Sequence, residues 1–178
     1  YKKIDLNDFP EGSKIALAHT RWATHGAPTK LNSHPHTDCS GKIAVVHNGI
    51  IENFLDLKEE LLSRGHKFKS ETDTEVIAHL IEESMHRNTN LKQAIREALK
   101  KCEGSYAIAV CSVYTPDSII VARYESPLVI GIDEGKTTYC ASDIPAFLPL
   151  TRNCYLMEDN EIAVLKANEV QFFNIEND

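Results

Sequence analysis

The sequence has few of the features that mark secreted, membrane or nucleic-acid-binding proteins. Its five cysteines are odd in number, scattered and free of Cys-x-x-Cys spacing, so they give no sign of a disulfide framework. No run approaches the roughly 18 apolar residues of a membrane span, and the first residues lack the apolar core of a signal peptide. Basic residues number 19 against 26 acidic ones, without a basic run. We therefore expect a cytoplasmic protein with no membrane or nucleic-acid partner.

The 178 residues, 42% of them hydrophobic, are enough for one globular domain. Three patterns predict helices. The first covers residues 53–64 and is stopped by Gly65, the second begins at a capping box formed by Thr72 and Glu75, and the third covers residues 90–102. "KIALAH" (14–19) and "KIAVVH" (42–47) read as buried strands, each ending in a histidine.

Beyond the third helix the chain changes to apolar β-type runs separated by short turns such as "TPD", "ESP" and "DEGK". The runs lack strict alternation, so both faces of their sheets are expected to be covered. A short helical "IPAFLPL" interrupts them. Strands, then helices, then more strands predict an α+β domain with mainly antiparallel sheets.

The loop "HTRWATHG", residues 19–26, is unusually rich in hydrogen-bonding groups and contains the only tryptophan. Arg21 presents a planar guanidinium suited to a carboxylate. The hydroxyls of Thr20 and Thr24 lie beside it in sequence, and Gly26 leaves backbone N–H donors accessible. The alternative for a lone arginine is a surface ion pair, and Trp22 by itself favours core packing. The loop is a candidate anion site.

"VVHNGII" allows two interpretations. Asn-Gly between apolar runs is typical of a tight hairpin. Alternatively, the Asn48 amide and the Gly49 N–H form an oxyanion hole, which the short distance to the helix at Asn53 favours. Asp73 is either a first-turn acidic residue of its helix or a partner for an ammonium group. With Arg21, these residues describe a site for an amino acid whose side-chain carbonyl is attacked.

A metal-binding module is a competing hypothesis, because five histidines cluster within 29 residues: His19, His25, His34, His36 and His47. "HPH" separates its two rings along an extended segment, and no cysteine or carboxylate recurs at ligand spacing. We therefore expect no metal and no cofactor.

Several separated blocks resemble one known family in the same order: "HTRWATHG", "NSHPH", "VVHNGIIEN", "SETDTEV", "EGSYAIAV", "SPLVIG" and "ASD". They resemble the class II glutamine amidotransferases, and the "RW" of the first block resembles their glucosamine-6-phosphate synthase branch more than the amidophosphoribosyltransferase branch. The resemblance implies an N-terminal-nucleophile hydrolase fold, a four-layer αββα sandwich. It implies a glutaminase that supplies ammonia to fructose 6-phosphate, within a homo-oligomeric full-length enzyme.

The resemblance also implies roles for individual residues. Those matching Arg21, Thr24 and His25 hold the glutamine α-carboxylate, and that matching Asp73 binds the α-amino group. The matching oxyanion hole is Asn48 with Gly49, and Trp22 lies next to the glutamine pocket.

One part of the family pattern is missing. The family's nucleophile is an N-terminal cysteine, whereas this chain opens with Tyr1 in a segment that resembles the middle of the domain. We therefore expect residues 1–178 to form a partial, N-terminally truncated glutaminase domain without the isomerase domains. Such a chain binds glutamine or glutamate at best. A different acceptor, as in the amidophosphoribosyltransferases, and a non-catalytic amino-acid-binding module are the alternatives.

Overall fold

A computed structural model describes residues 12–21, 25–87, 90–133 and 137–177. These residues form a six-stranded and a three-stranded sheet, with strand orders β1-β2-β3-β4-β8-β9 and β6-β5-β7. The ladders between these strands are all antiparallel. The strands are β1 (His36–Thr37), β2 (Ile43–Ile51), β3 (Gly104–Ser112), β4 (Ile119–Tyr124), β5 (Val129–Asp133), β6 (Thr137–Ala141), β7 (Cys154–Leu156), β8 (Glu161–Lys166) and β9 (Glu169–Asn174). The predicted α+β class with mainly antiparallel sheets is confirmed.

The six-stranded sheet separates two hydrophobic cores. On β3, Tyr106 and Ile108 face the helices, whereas Ala107 and Ala109 face the core shared with the three-stranded sheet. A strand buried on both sides requires apolar residues at nearly every position, which explains the missing alternation.

Three helices cover the other face of the six-stranded sheet: α1 (Phe54–Ser63), α2 (Glu75–Met85) and α3 (Leu91–Leu99). The described residues therefore stack as helices, large sheet and small sheet. The outer side of the small sheet carries a 3-10 turn, Ile144–Ala146, followed by Phe147, which packs on Gly131 of β5. In the described ranges, this turn stands where the expected sandwich has its fourth, helical layer.

The helix ends agree with the sequence patterns at two positions and differ at a third. Gly65, with φ of 93°, ends α1, and the Asn90 side chain caps α3 by accepting from the Gln93 N–H at 3.2 Å. The predicted Thr72–Glu75 capping box is wrong. The Glu75 carboxylate instead accepts hydrogen bonds from N–H groups that precede the helix, including that of Ser70 at 2.6 Å. The Thr72 hydroxyl contacts the ring of His36.

The two strands predicted to end in histidine differ in outcome. "KIALAH" is wrong, because residues 14–19 join no ladder in the described part of the chain. A strand is stable only beside a hydrogen-bonded partner strand, and the local apolar pattern does not show whether such a partner exists. "KIAVVH" is part of β2, which continues past Asn48 and Gly49 in unbroken register with β3, from Ile43 opposite Ser112 to Ile51 opposite Gly104. The tight-hairpin interpretation of Asn-Gly is thereby excluded.

Within the described ranges, no helix has both the length and the apolar character needed to cross a membrane.

Candidate functional site

Five of the seven predicted site residues line one pocket of about 170 Å³: Arg21, His25, Asn48, Gly49 and Asp73. The other two, Trp22 and Thr24, lie outside the described residues. The pocket is completed by the Thr20 side chain of the candidate anion site and by five further polar side chains without a predicted role in amino-acid binding, namely His19, His34, His47, Thr72 and Thr74.

The floor of the pocket is the stretch of the β2 edge after Val45, with which no strand in the described part of the chain pairs and which is called the free edge below. β1 pairs with this side of β2 only at Ala44 and Val45, so the following N–H groups need other acceptors. The His47 N–H donates to His34 Nδ1 at 3.2 Å, and the Ile51 N–H donates to Asp73 Oδ2 at 2.9 Å.

Gly49 lies midway between these two positions. The alternation of an antiparallel ladder directs its N–H to the same side, toward the pocket. Its φ is 125°, and a Cβ there would lie 2.1 Å from the Ser105 carbonyl oxygen on β3. Only glycine fits this position, because β3 approaches too closely for any side chain.

His19 fixes the orientation of the Asn48 amide. His19 Nε2 lies 2.7 Å from Asn48 Oδ1, so the ring donates and the amide oxygen accepts. The Asn48 NH2 group is thus left for a ligand. His19 Nδ1 is buried and has no hydrogen-bond partner among the described residues.

The Arg21 side chain lines the pocket and also hydrogen bonds to nearby backbone. Its guanidinium donates to the carbonyl oxygens of His25, Gly26 and Ala27, the last two at 3.1 and 3.2 Å. Among the described residues, these three bonds leave two of the five N–H donors of an arginine unused. They join the Arg21 side chain to the backbone of residues 25–27.

Asp73 is the acidic group opposite this charge. It is 3% exposed; Oδ2 accepts the Ile51 N–H, whereas Oδ1 lies 3.9 Å from His25 Nδ1. That distance exceeds a hydrogen bond, and His25 Nδ1 is another buried atom without a partner among the described residues. The pocket therefore offers a carboxylate oxygen and two ring nitrogens to which no described residue hydrogen bonds.

Stacked histidines form one wall of the pocket. The ring of His34 stacks on His19 with a centroid separation of 4.2 Å and meets His36 edge-on at 4.9 Å. Burial, together with the neighbouring His19, His36, His47 and Arg21, lowers the pKa of His34 to about 3. Burial also lowers the pKa of His47, against the opposing effect of Asp73. The rings of His34 and His47 are therefore neutral at pH 7.

The wall residues hydrogen bond within the protein. Thr74 Oγ1 lies 2.9 Å from His47 Nδ1 and 3.4 Å from His34 Nε2, and the other nitrogen of each ring faces a backbone group. Among the described residues, no group suited to a metal ion includes any of the five histidines of the metal-binding hypothesis.

A family model for the glutamine amidotransferase domain matches residues 19–149, which include all of these pocket residues. The chain belongs to this family. Its curated relatives among the glutamine amidotransferases include two enzymes named glutamine–fructose-6-phosphate aminotransferase (isomerizing). That of Thermococcus kodakarensis is 55% identical over 87% of this chain and 25% of its own length. That of Caldanaerobacter subterraneus is 51% identical over 98% of this chain and 28% of its own length. The chain thus spans about a quarter of these relatives.

Solved structures of glutamine amidotransferases share the fold. A glutamine phosphoribosylpyrophosphate amidotransferase from B. subtilis superposes with a TM-score of 0.73 at 29% identity, covering 88% of this chain and 34% of its own. A structure described as the allosteric regulatory enzyme of purine biosynthesis gives 0.74 at the same identity and coverage. These neighbours confirm the fold class expected from the sequence blocks.

Sequence reasoning missed His34, Thr72 and Thr74 as pocket residues. "NSHPH" and "SETDTEV" were among the blocks that carried the resemblance, but each threonine also fitted an ordinary helix start. Their placement depends on how the segments meet across β2.

Proposed function

We propose that the pocket binds glutamine, with Arg21 contacting the α-carboxylate and Asp73 the α-ammonium group. The observation that carries this proposal is that a buried carboxylate and a guanidinium with spare donors line the same small pocket. An α-amino acid is the ligand class that carries both complementary charges on one carbon. His25, 3.9 Å from Asp73, contributes to the same end of the ligand, as does Thr24 by resemblance. Trp22, by the same resemblance, lies next to the pocket.

Asn48 and Gly49 would then meet the side-chain carbonyl. The Asn48 NH2 group and the Gly49 N–H are two donors at the free edge of β2, as an oxyanion hole requires. Such donors stabilise the negative oxygen that forms when a nucleophile attacks an amide.

None of the five cysteines, all within the described ranges, lines this pocket. Burial raises the pKa of Cys102 to about 12 and those of Cys111 and Cys140 to about 11, so these thiols stay protonated and unreactive. We expect the 178-residue chain to bind glutamine or glutamate and not to release ammonia. Glutamate formation by this chain would contradict that expectation.

We further propose that the chain is the glutaminase part of a glucosamine-6-phosphate synthase, a cytoplasmic homo-oligomer that transfers ammonia to fructose 6-phosphate. The names of relatives at 51 to 55% identity support this acceptor over the phosphoribosyl acceptor of the 29% identical structure. On this proposal, residues 1–178 are a partial domain, and the acceptor binds to isomerase domains elsewhere in the longer enzyme.

Isothermal titration calorimetry with glutamine, glutamate and asparagine tests the pocket. Arg21→Ala removes the carboxylate partner and should weaken glutamine binding at least tenfold, since a charged hydrogen bond is worth about 1.5–3 kcal/mol. Arg152→Ala, at an exposed arginine outside the pocket, is the matched control and should bind like the wild type.

Equal glutamine affinity in the two arginine variants would refute the carboxylate role. A pocket kept as a non-catalytic amino-acid sensor is the second candidate, because binding does not require a nucleophile. Adding an N-terminal Cys-Gly-containing strand by gene fusion separates the two: the glutaminase proposal expects glutamate release, and the sensor expects none.

A further inference from the structure

A second cluster of polar side chains lies outside the pocket, behind the helical layer. Cys39 comes from the turn before β2, His66 from the segment after α1, and His79 and Glu82 from adjacent turns of α2. One ligand atom from each residue lies within 4.8 Å of the others. None of the four lines the glutamine pocket.

The spacing matches a tetrahedral metal site. Cys39 Sγ lies 3.7 Å from His66 Nδ1 and 3.6 Å from His79 Nδ1. With Zn–S near 2.3 Å and Zn–N near 2.0–2.1 Å, a tetrahedron places sulfur and nitrogen about 3.5 Å apart. Glu82 Oε2 is 2.9 and 3.2 Å from the same two nitrogens, so a widening of a few tenths of an ångström completes the site.

Two outer carboxylates lie near the imidazole rings. Glu83 Oε2 lies 3.2 Å from His66 Nε2, within hydrogen-bond distance, whereas Glu75 Oε1 lies 3.6 Å from His79 Nε2, and that nitrogen has no hydrogen-bond partner among the described residues. The acceptor at His66 Nε2 keeps the proton there and leaves the Nδ1 lone pair facing the shared space. This pairing of carboxylate, histidine and metal recurs around protein zinc sites.

The backbone around the cysteine also suits a thiolate ligand. The Lys67 N–H donates to Cys39 Sγ at 3.4 Å, and the Cys39 N–H donates to Glu82 Oε2 at 3.2 Å. Cys39 is exposed and gives an ion a path inward, whereas His79 is 0% exposed.

We propose that Cys39, His66, His79 and Glu82 bind one zinc ion. One thiolate, two imidazoles and one carboxylate form a closed set of four protein ligands, which is typical of a structural site and not of a catalytic one. The ion would tie two other chain segments to α2, the helix that directly follows Asp73. The competing explanation is a hydrogen-bonded cluster without metal, in which Glu82 accepts directly from both rings.

Sequence reasoning weighed a metal site only at the five clustered histidines, and it missed this cluster because the four ligands come from three segments. Only His79 and Glu82 are close in sequence, and a histidine and a glutamate three residues apart on a helix are common without any metal.

Zinc content measured by inductively coupled plasma mass spectrometry tests the proposal. The 178-residue chain is dialysed under reducing conditions, loaded with Zn²⁺ and desalted. We expect one zinc per chain for the wild type and for Cys154→Ser, which removes an exposed cysteine elsewhere. Cys39→Ser should lose more than about 100-fold in zinc affinity, and Glu83→Gln about 10–100-fold.

Cobalt substitution gives an independent readout of the ligands. Co²⁺ bound at this site should show thiolate-to-metal charge transfer and the strong visible bands of tetrahedral cobalt, absent in Cys39→Ser. If that variant misfolds by circular dichroism, alkylation of the wild type decides, since zinc should protect Cys39 and not Cys154. No stoichiometric zinc in the wild type, equal zinc in both serine variants, or no protection of Cys39 would each overturn the proposal.

Discussion

Asp73 makes a structural contact and a proposed ligand contact through different oxygens, and two substitutions separate them. Oδ2 accepts the Ile51 N–H at 2.9 Å, whereas Oδ1 faces the pocket. Asp73→Asn keeps an oxygen for Ile51 and removes the negative charge. Asp73→Ala removes both.

The structure sets different magnitudes for the two variants. Losing the charge opposite an ammonium group should cost about 1.5–3 kcal/mol of binding, or roughly 10- to 150-fold in glutamine affinity. Ile51 is fully buried, so removing the acceptor of its N–H in Asp73→Ala should cost a further 1–3 kcal/mol or so of folding stability. Asp73→Asn should fold nearly as stably as the wild type.

Calorimetry with glutamine measures the first effect, and urea unfolding measures the second. Asp117→Asn, on the turn before β4, is a matched control that should change neither quantity. The reasoning is refuted if Asp73→Asn binds glutamine within twofold of the wild type. It is also refuted if the alanine variant is as stable as the asparagine variant.

Two further predictions concern stability. His34 has a folded-state pKa of about 3 against 6.5 in the unfolded chain, so the unfolded chain binds more protons within that window and stability falls as the pH decreases through it. Urea unfolding at pH 5 should give a free energy of unfolding about 1 kcal/mol lower than at pH 7, a figure reduced for the partial exposure of the ring. His34→Gln should make this pH dependence weaker. An unchanged pH dependence in the variant would contradict the assignment to His34. Gly49→Ala should destabilise by more than about 3 kcal/mol, because of the clash with Ser105, whereas Gly41→Ala, at φ of 69° with open space, should cost only about 1–2 kcal/mol. Equal losses in these two variants would show that the close approach of β3 is unimportant.

Local patterns predicted the helices well. Leu57 and Leu61, spaced four apart, are the buried residues of α1, and the glycine that ends the helix was identified. Such features depend on neighbours three or four residues away, which the sequence shows directly.

Features that depend on distant segments were not predictable in this way. The register of β2 opposite β3 joins residues about 60 apart, such as Asn48 and Ala107, and "KIALAH" has apolar spacing without a ladder partner. Glu75 caps the segment before its helix instead of the helix itself. The resemblance assigned roles to Arg21, His25, Asn48, Gly49 and Asp73, which all line the pocket, but it assigned none to the stacked His19 and His34 rings beside them.

The free edge of β2 has a consequence for association between molecules. An unpaired strand edge normally invites a strand from another chain. Here the N–H groups of His47 and Ile51 already donate to the side chains of His34 and Asp73. An incoming strand would have to displace both side chains and fill the pocket, so the residues that shape the proposed glutamine site also guard the sheet against aggregation.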